Sequence, residues 1–404
     1  MDGAGTAWLG TSTALVLLMT LPGLALFYGG MVRRKNVIAT ITQSVGVFAV
    51  VSLVWFIAGY SLAFGANPSE ALQPFVGGLD MMFLNNVSLR TANGLLPGIP
   101  EFLFIAFQMT FAIITPALVT GAFAERMKYS ALLLFTALWS LVIYAPICHW
   151  VWGGGFLGGA GVLDFAGGAV VHVNSGVAGL VCAIFLGRRK GYGIEPINPH
   201  NPVLTMIGAS LLLVGWIGFN AGSAGAANDL MGVALLNTIL AAAAGALTWK
   251  IVEYIEKKKV SLIGMLSGVV AGLVAITPAA GFVDPKGAVI IGLIAGPVCY
   301  AASVWIKKLL RYDDSLDAFG IHGAGGLIGA LLTGVFATTA INSLSEGANV
   351  GAQALGLVWT IVYSAVGTLV ILFICKFTTG LRVSEAEETA GLDTSLHGEA
   401  LEAV

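Results

Sequence analysis

Residues 169–187 read AVVHVNSGVAGLVCAIFLG, and Arg188, Arg189 and Lys190 follow at once. An apolar run of roughly 20 residues is what a helix needs to cross the hydrocarbon core of a bilayer. This stretch is therefore a membrane span that carries one ionisable side chain, His172, and ends on a basic edge. The pattern returns later in the chain. His172-x-x-x-Gly176-x-x-Gly179 is matched by His322-x-x-x-Gly326-x-x-Gly329, 150 residues on, each with an acid upstream, Asp164 and Asp317.

Outward from this pair the sequence repeats the same kind of run, near 7–31, 37–64, 100–123, 130–150, 169–187, 202–220, 230–255, 261–277, 287–306, 318–338 and 353–376. The expected architecture is an all-α polytopic membrane protein with eleven transmembrane helices: two pseudo-symmetric, inverted five-helix halves plus a final helix. A second, looser match supports the halves, Phe27-Tyr28-Gly29-Gly30 against Phe219-Asn220-Ala221-Gly222. Composition excludes a soluble domain, because 10% of residues are charged against about 25% in an average one. Glycine at 54 of 404 residues fits close helix packing, with G-x-x-x-G steps at Gly264, Gly268 and Gly272, at Gly292 and Gly296, and at Gly325 and Gly329.

Loops rich in Lys and Arg stay on the cytoplasmic side. Of the 19 basic residues, all but Arg90 and Lys286 fall on one side of the alternating spans. That places the N-terminus outside and the C-terminus in the cytoplasm. No Lys or Arg precedes Arg33, so the first span lacks the basic start of a cleaved leader and is expected to be retained. Residues 1–376 then form the membrane domain and 377–404 an acidic cytoplasmic tail.

Several function classes drop out on composition and motif. A net charge of −2 leaves no basic surplus for nucleic acid. Cys148, Cys182, Cys299 and Cys375 stand alone in apolar runs, the pattern of packing residues rather than of a disulfide or metal framework. There is no Walker A lysine motif. No metal or cofactor is expected.

An ionisable group in mid-membrane marks a substrate or ion path. His172 and His322 meet that description, whereas His149 falls at a span end, His200 in a loop and His397 in the tail. Two facing imidazoles offer both donors and acceptors to a small polar molecule, and without a third ligand they make a poor zinc site. Aromatic rings are the second signal, since ring faces attract cations without a counter-charge. Phe107, Phe111, Trp150, Trp152, Trp216 and Phe219 collect at span ends near this path, and Gly153-Gly154-Gly155 behind Trp152 reads as a vestibule wall. Asp164 either binds a cation directly or caps the start of its span; a fixed carboxylate would hold a cation too tightly for passage, which favours the cap. The residues describe a path for a small cation or its neutral form.

At these same positions the chain resembles the ammonium transporter family, Amt/Mep/Rh, and its microbial Amt branch. The resemblance covers the chain through 22–30 (PGLALFYGG), 106–112 (AFQMTFA), 149–155 (HWVWGGG), 164–172 (DFAGGAVVH), 215–223 (GWIGFNAGS) and 317–323 (DAFGIHG). It implies an eleven-span protomer assembled as a homotrimer, each protomer with its own pore, in the plasma membrane. Phe107, Trp152 and Ser223 would recruit ammonium, Phe111 and Phe219 would gate, and His172, His322 and Trp216 would line the pore, with Asp164 as structural support. Ammonium would be deprotonated and ammonia conducted, with proton relay and net charge movement. The tail motifs 380–383 (GLRV), 391–393 (GLD) and 397–399 (HGE) resemble an ordered tail that folds on the inner face, where a PII-type signal protein would dock. The competing expectation is an ammonium sensor with little flux. An enzyme is not expected, because no nucleophile accompanies the histidines.

Overall fold

The computed structural model describes residues 1–401, and among them no strand ladder forms. Ten helices are long and apolar enough to cross a membrane: α1 Gly3–Met31, α2 Arg34–Phe64, α3 Glu101–Phe123, α4 Tyr129–Gly159, α5 Gly168–Leu186, α6 Pro202–Gly222, α7 Asp229–Lys257, α9 Pro285–Leu310, α10 Phe319–Phe336 and α11 Val350–Thr378. Between α7 and α9 lies a shorter apolar helix, α8, Leu262–Ile276. The chain is a polytopic α-helical membrane protein.

Helix starts follow local chemistry. Asn201, Asn228, Ser261, Asp284 and Asn349 each accept a backbone N–H at the head of α6, α7, α8, α9 and α11, and Pro202 and Pro285 take first-turn positions where no donor is needed. The glycine steps bring α7, α8 and α9 backbone to backbone. A Cβ on Gly272 or Gly292 would collide with the Ala241 carbonyl, and one on Gly296 with Thr248. Gly264 is different: it faces Glu253 and Ser261 at a helix start, so it is not part of that seam.

At the centre, α5 and α10 cross in reciprocal fashion. Gly176 packs against the backbone of Gly323, while Gly326 packs against Gly168 and the Cβ of His172. Both helices open in a wide π-helical turn, Gly168–Val173 and Phe319–Gly323, and each turn carries its histidine. Such turns shift side chains out of α register and recur at functional sites. Helix α1 is broken as well: Leu21 is non-helical (φ −128°, ψ 109°) just before Pro22, which has no N–H to give.

The acids that head the crossed helices differ from the sequence pairing. Asp164 accepts from the backbone N–H of Gly167, Gly168, Ala169 and Val170 at 2.6–3.0 Å. Its counterpart is Asp314, which accepts from Ala318 and Phe319 at 3.0 and 2.7 Å, and which keeps the same 150-residue offset as the histidines. Asp317 instead pairs with Lys307. The match to Asp317 is thereby corrected.

The tail, as far as residue 401, is seated against the loops between spans. The Lys128 N–H donates to Leu381 O at 2.8 Å, and Arg382 donates to the carbonyls of Leu186 (2.9 Å) and Arg188 (2.7 Å). Glu388 closes this clasp by accepting from Arg382 and from the Lys190 N–H, at 2.7 and 2.6 Å. The Asp393 carboxylate accepts the Ala39 N–H at 2.8 Å, and Asn36 returns the contact by accepting the Leu392 N–H at 2.8 Å. Under the tail, Glu125 is buried between Arg33 (2.8 Å) and Arg189 (3.2 Å), and Arg189 grips Asp313 at 2.8 Å. Burial raises the Glu125 carboxyl, but the two guanidinium groups outweigh it and hold it below its usual range.

Candidate functional site: an aromatic vestibule above a histidine conduit

Two helices lay matching stripes down one path. Phe107, Phe111, Ile114 and Leu118 on α3 and Leu212, Trp216, Phe219 and Ser223 on α6 both follow the i, i+4, i+7, i+11 spacing of one helix face. The upper members, Phe107, Phe111 and Ser223, open together with Trp152 of α4 into a vestibule of about 120 Å³. Here the Ser223 hydroxyl donates to Phe219 O at 2.8 Å, which leaves its lone pairs free to accept from an entering solute. Trp152 is fixed because its Nε1–H donates to Asp164 O at 2.8 Å. Asp164 thus orients the rim through its main chain, while its carboxylate is consumed by backbone N–H groups.

Below the vestibule the rings of Phe111 and Phe219 stack with centroids 4.2 Å apart, and Trp152 stands edge-on to Phe111 at 6.0 Å. Under the stack lies a narrow cavity of about 10 Å³, room for roughly one water-sized molecule. Apart from His172 and His322 its lining is apolar, with Phe27, Ile114, Leu118, Trp216 and Val270 among the walls. The two imidazoles lie nearly parallel (17°) with Nδ1 atoms 3.3 Å apart. That contact requires one nitrogen to donate and the other to accept, so the pair shares a proton. Trp216 stacks on His172 at 5.2 Å and is held in turn by Thr277, whose hydroxyl accepts its Nε1–H at 2.9 Å.

Nine of the residues singled out in the sequence, Phe107, Phe111, Trp152, Asp164, His172, Trp216, Phe219, Ser223 and His322, are thus in or beside one path. Trp150 is not: its Nε1–H donates to Phe75 O at 2.7 Å, and its ring packs on Phe156 and Tyr363. Nor do Gly153 and Gly155 line the vestibule; a Cβ there would strike the Ala63 carbonyl or the Trp150 backbone, so they let the end of α4 close on its neighbours. His149 is a buried anchor, its ring nitrogens 2.9 and 2.6 Å from the carbonyl oxygens of Ala63 and Gln73. Sequence reading missed Phe27 on the conduit wall, Thr277 behind Trp216, and Gln108, which borders the vestibule. Phe27 was legible in the Phe27/Phe219 match, whereas Thr277 and Gln108 carry no signal of their own. Among the described residues no group of three or more His, Cys, Asp or Glu side chains could hold a metal.

Helices that enclose an apolar conduit, entered through aromatic rings and a hydroxyl and lined by paired imidazoles, define a membrane transport protein for a small solute. The sequence model of the Ammonium Transporter Family matches residues 7–401. The chain is 47% identical to the ammonium transporter of Bacillus subtilis (strain 168) over 411 residues, covering 99% of this chain and 98% of that one. It is also 47% identical to the ammonium transporter of Aquifex aeolicus, covering 99% and 93% of the two chains. Its fold is similar to that of Saccharomyces cerevisiae Mep2 (TM-score 0.87, 36% identity, 95% of this chain and 88% of that one) and to that of a sensor Amt protein (TM-score 0.88, 32% identity, 97% and 98%). The chain belongs to the ammonium transporter family. It is a membrane transporter and not an enzyme.

Proposed function

We propose that the chain recruits ammonium at Phe107, Trp152 and Ser223, that the cation yields its proton past the Phe111–Phe219 gate to the imidazole pair of His172 and His322, and that ammonia passes along His172, His322 and Trp216. Asp164 supports the rim. The carrying observation is the joining of a cation-attracting mouth to a narrow cavity of about 10 Å³ that is apolar apart from the two histidines. Desolvating a full positive charge there is expensive, whereas a neutral molecule with donors and an acceptor pays little and can bond to the imidazoles. Potassium can meet the rings but has no proton to shed, so the conduit rejects it. The shared proton between the histidines supports a relay that moves net charge with each ammonia.

The protomer then works as one of three in a homotrimer in the plasma membrane, with eleven spans in two inverted halves plus a last helix, the N-terminus outside and the C-terminus in the cytoplasm. The membrane domain comprises 1–376 and the tail 377–404, of which 402–404 lie outside the described residues. The seated tail supports an inner face on which a PII-type signal protein docks.

Charge displacement in proteoliposomes after an ammonium jump tests this reading. The expected result is a current from the wild type that vanishes in His172→Ala and in His322→Ala. Alkalinisation of the vesicle interior without current would overturn the relay and leave a neutral ammonia channel. Absence of both signals would overturn transport and favour an ammonium sensor.

A further inference from the structure

The loop that leads into α3 is fastened by one buried carboxylate. Glu101, the first residue of α3, is 5% exposed. One of its oxygens accepts from the Tyr60 hydroxyl on α2, and the other accepts from the Asn93 side-chain N–H at 2.8 Å. Asn93 is buried too, and its Oδ1 accepts from the backbone N–H of Leu95 and of Leu96, at 3.0 and 2.8 Å. The dipole alone favours an acid in a first turn, and such acids are ordinarily left in water. This one faces inward and gives each oxygen to a different segment, so that α2, the loop and α3 meet at a single side chain.

What the joint holds is a wall of the vestibule. Leu95 and Leu96 border that space together with Phe64 and Phe104, and the Tyr60 ring lies against both phenylalanines, at 5.4 and 6.4 Å. Leu96 also reaches across to the end of α6: a Cβ on Gly225, two residues past Ser223, would collide with its side chain. The segment has little stiffness of its own, since Gly94 and Gly98 interrupt it. Asn93, seated on Glu101, supplies the fixation.

We propose that Glu101 is a positioning residue for ammonium: through Asn93 it fixes the Leu95–Leu96 wall against the end of α6 and so sets how tightly the mouth holds the cation. The inference rests on recruitment of ammonium at Phe107, Trp152 and Ser223. Glu101 does not itself border the vestibule. A wall already in place costs nothing to order when the cation enters, whereas a released wall must be ordered at each binding event. The conduit below is not part of the joint, so the effect falls on affinity and spares the maximal flux.

The test is a concentration series of initial ammonium flux in proteoliposomes, read both as current and as alkalinisation of the interior. Glu101→Ala should raise the half-saturating ammonium concentration about two- to tenfold, the effect of ordering one released side chain or so, with the maximal flux per folded protein retained. Asn93→Ala frees the loop but leaves Tyr60 on the carboxylate, and it should do the same. Glu101→Gln should keep the wild-type value, because its amide can accept from Asn93 and donate to the Tyr60 oxygen. Unchanged half-saturation in the alanine variants, a fall in maximal flux alone, or a glutamine variant as impaired as the alanine would each overturn the proposal, the last because charge and not grip would then be at work. If Glu101→Ala lacks a thermal transition in detergent, Asn93→Ala against Glu101→Gln carries the same comparison. A wild type without flux by either readout would overturn the transport reading itself, and the proposal with it.

Discussion

Trp216 lies 20° from parallel to the ring of His172, and its indole N–H is held by the Thr277 hydroxyl at 2.9 Å. Thr277 in turn donates to Leu273 O at 2.8 Å, so a hydroxyl at the C-cap of α8 sets the angle of a ring on α6 that walls a histidine on α5. Thr277→Val keeps the shape but leaves a buried N–H unpaired, a cost of about 1–3 kcal/mol. The thermal midpoint in detergent should fall and ammonium uptake with it, while Thr277→Ser should restore both. Uptake unchanged in the valine variant would show that the Trp216 angle is immaterial.

The mouth should be separable from the conduit. Trp152→Leu removes a ring face worth about 0.5–2 kcal/mol to a cation, so the ammonium concentration for half-maximal current should rise several-fold or more. Ser223→Ala should act in the same direction. Neither should lower the maximal current in the way expected of His172→Ala, and concentration series on the same vesicles distinguish the two behaviours.

Asp164 satisfies four backbone donors, more than an ordinary cap. Asp164→Ala should therefore cost more than the usual 0.5–2 kcal/mol of a lost cap, read as a shift of thermal midpoint larger than that for Asn349→Ala at the head of α11. Asp164→Asn retains one acceptor oxygen and should fall between.

Acid should unseat the tail-side cluster. Glu125 lies below its ordinary carboxylate range because Arg189 and Arg33 overcome the effect of burial, and Asp313 is lowered in the same way by Arg189. Depressed folded values mean stability that is fully present above the unfolded range near pH 4–5 and lost as pH falls through the folded values. Thermal unfolding followed downward from pH 6 should show this loss. Glu125→Gln should flatten it, with a loss of stability that is full at neutral pH and shrinks as pH falls, because Arg189 then keeps only Asp313.

Apolar run length located the spans within a few residues except at the end of α4, which runs to Gly159 where the sequence reading stopped at 150, because hydrocarbon thickness imposes a length that composition reveals directly. The histidine repeat located the crossing of α5 and α10 for a similar reason: only glycine lets Gly176 and Gly323 touch. What stayed hidden depends on backbone detail. The π-helical turns and the break at Leu21 leave no residue-type signature, and Pro22 alone marks a kink without showing which walls it exposes. Asp314 was hidden by its neighbours, since three acids stand within five residues and only the hydrogen bonds show which one caps. Trp150 misled because an aromatic at a span end looks the same whether it faces a vestibule or another ring.

The tail bears on how the molecule is built as well as how it works. Asp393 closes on Ala39 across 354 positions, and Leu392 on Asn36 across 356. The segment around Leu392 is thus fastened to the start of α2, and Glu388 and Arg382 fasten the tail to the loop between α5 and α6. These seats line up only when every intervening helix has entered the bilayer in its proper sense. A chain with one helix skipped or reversed would present them on opposite sides of the membrane, and the tail would lose its seats.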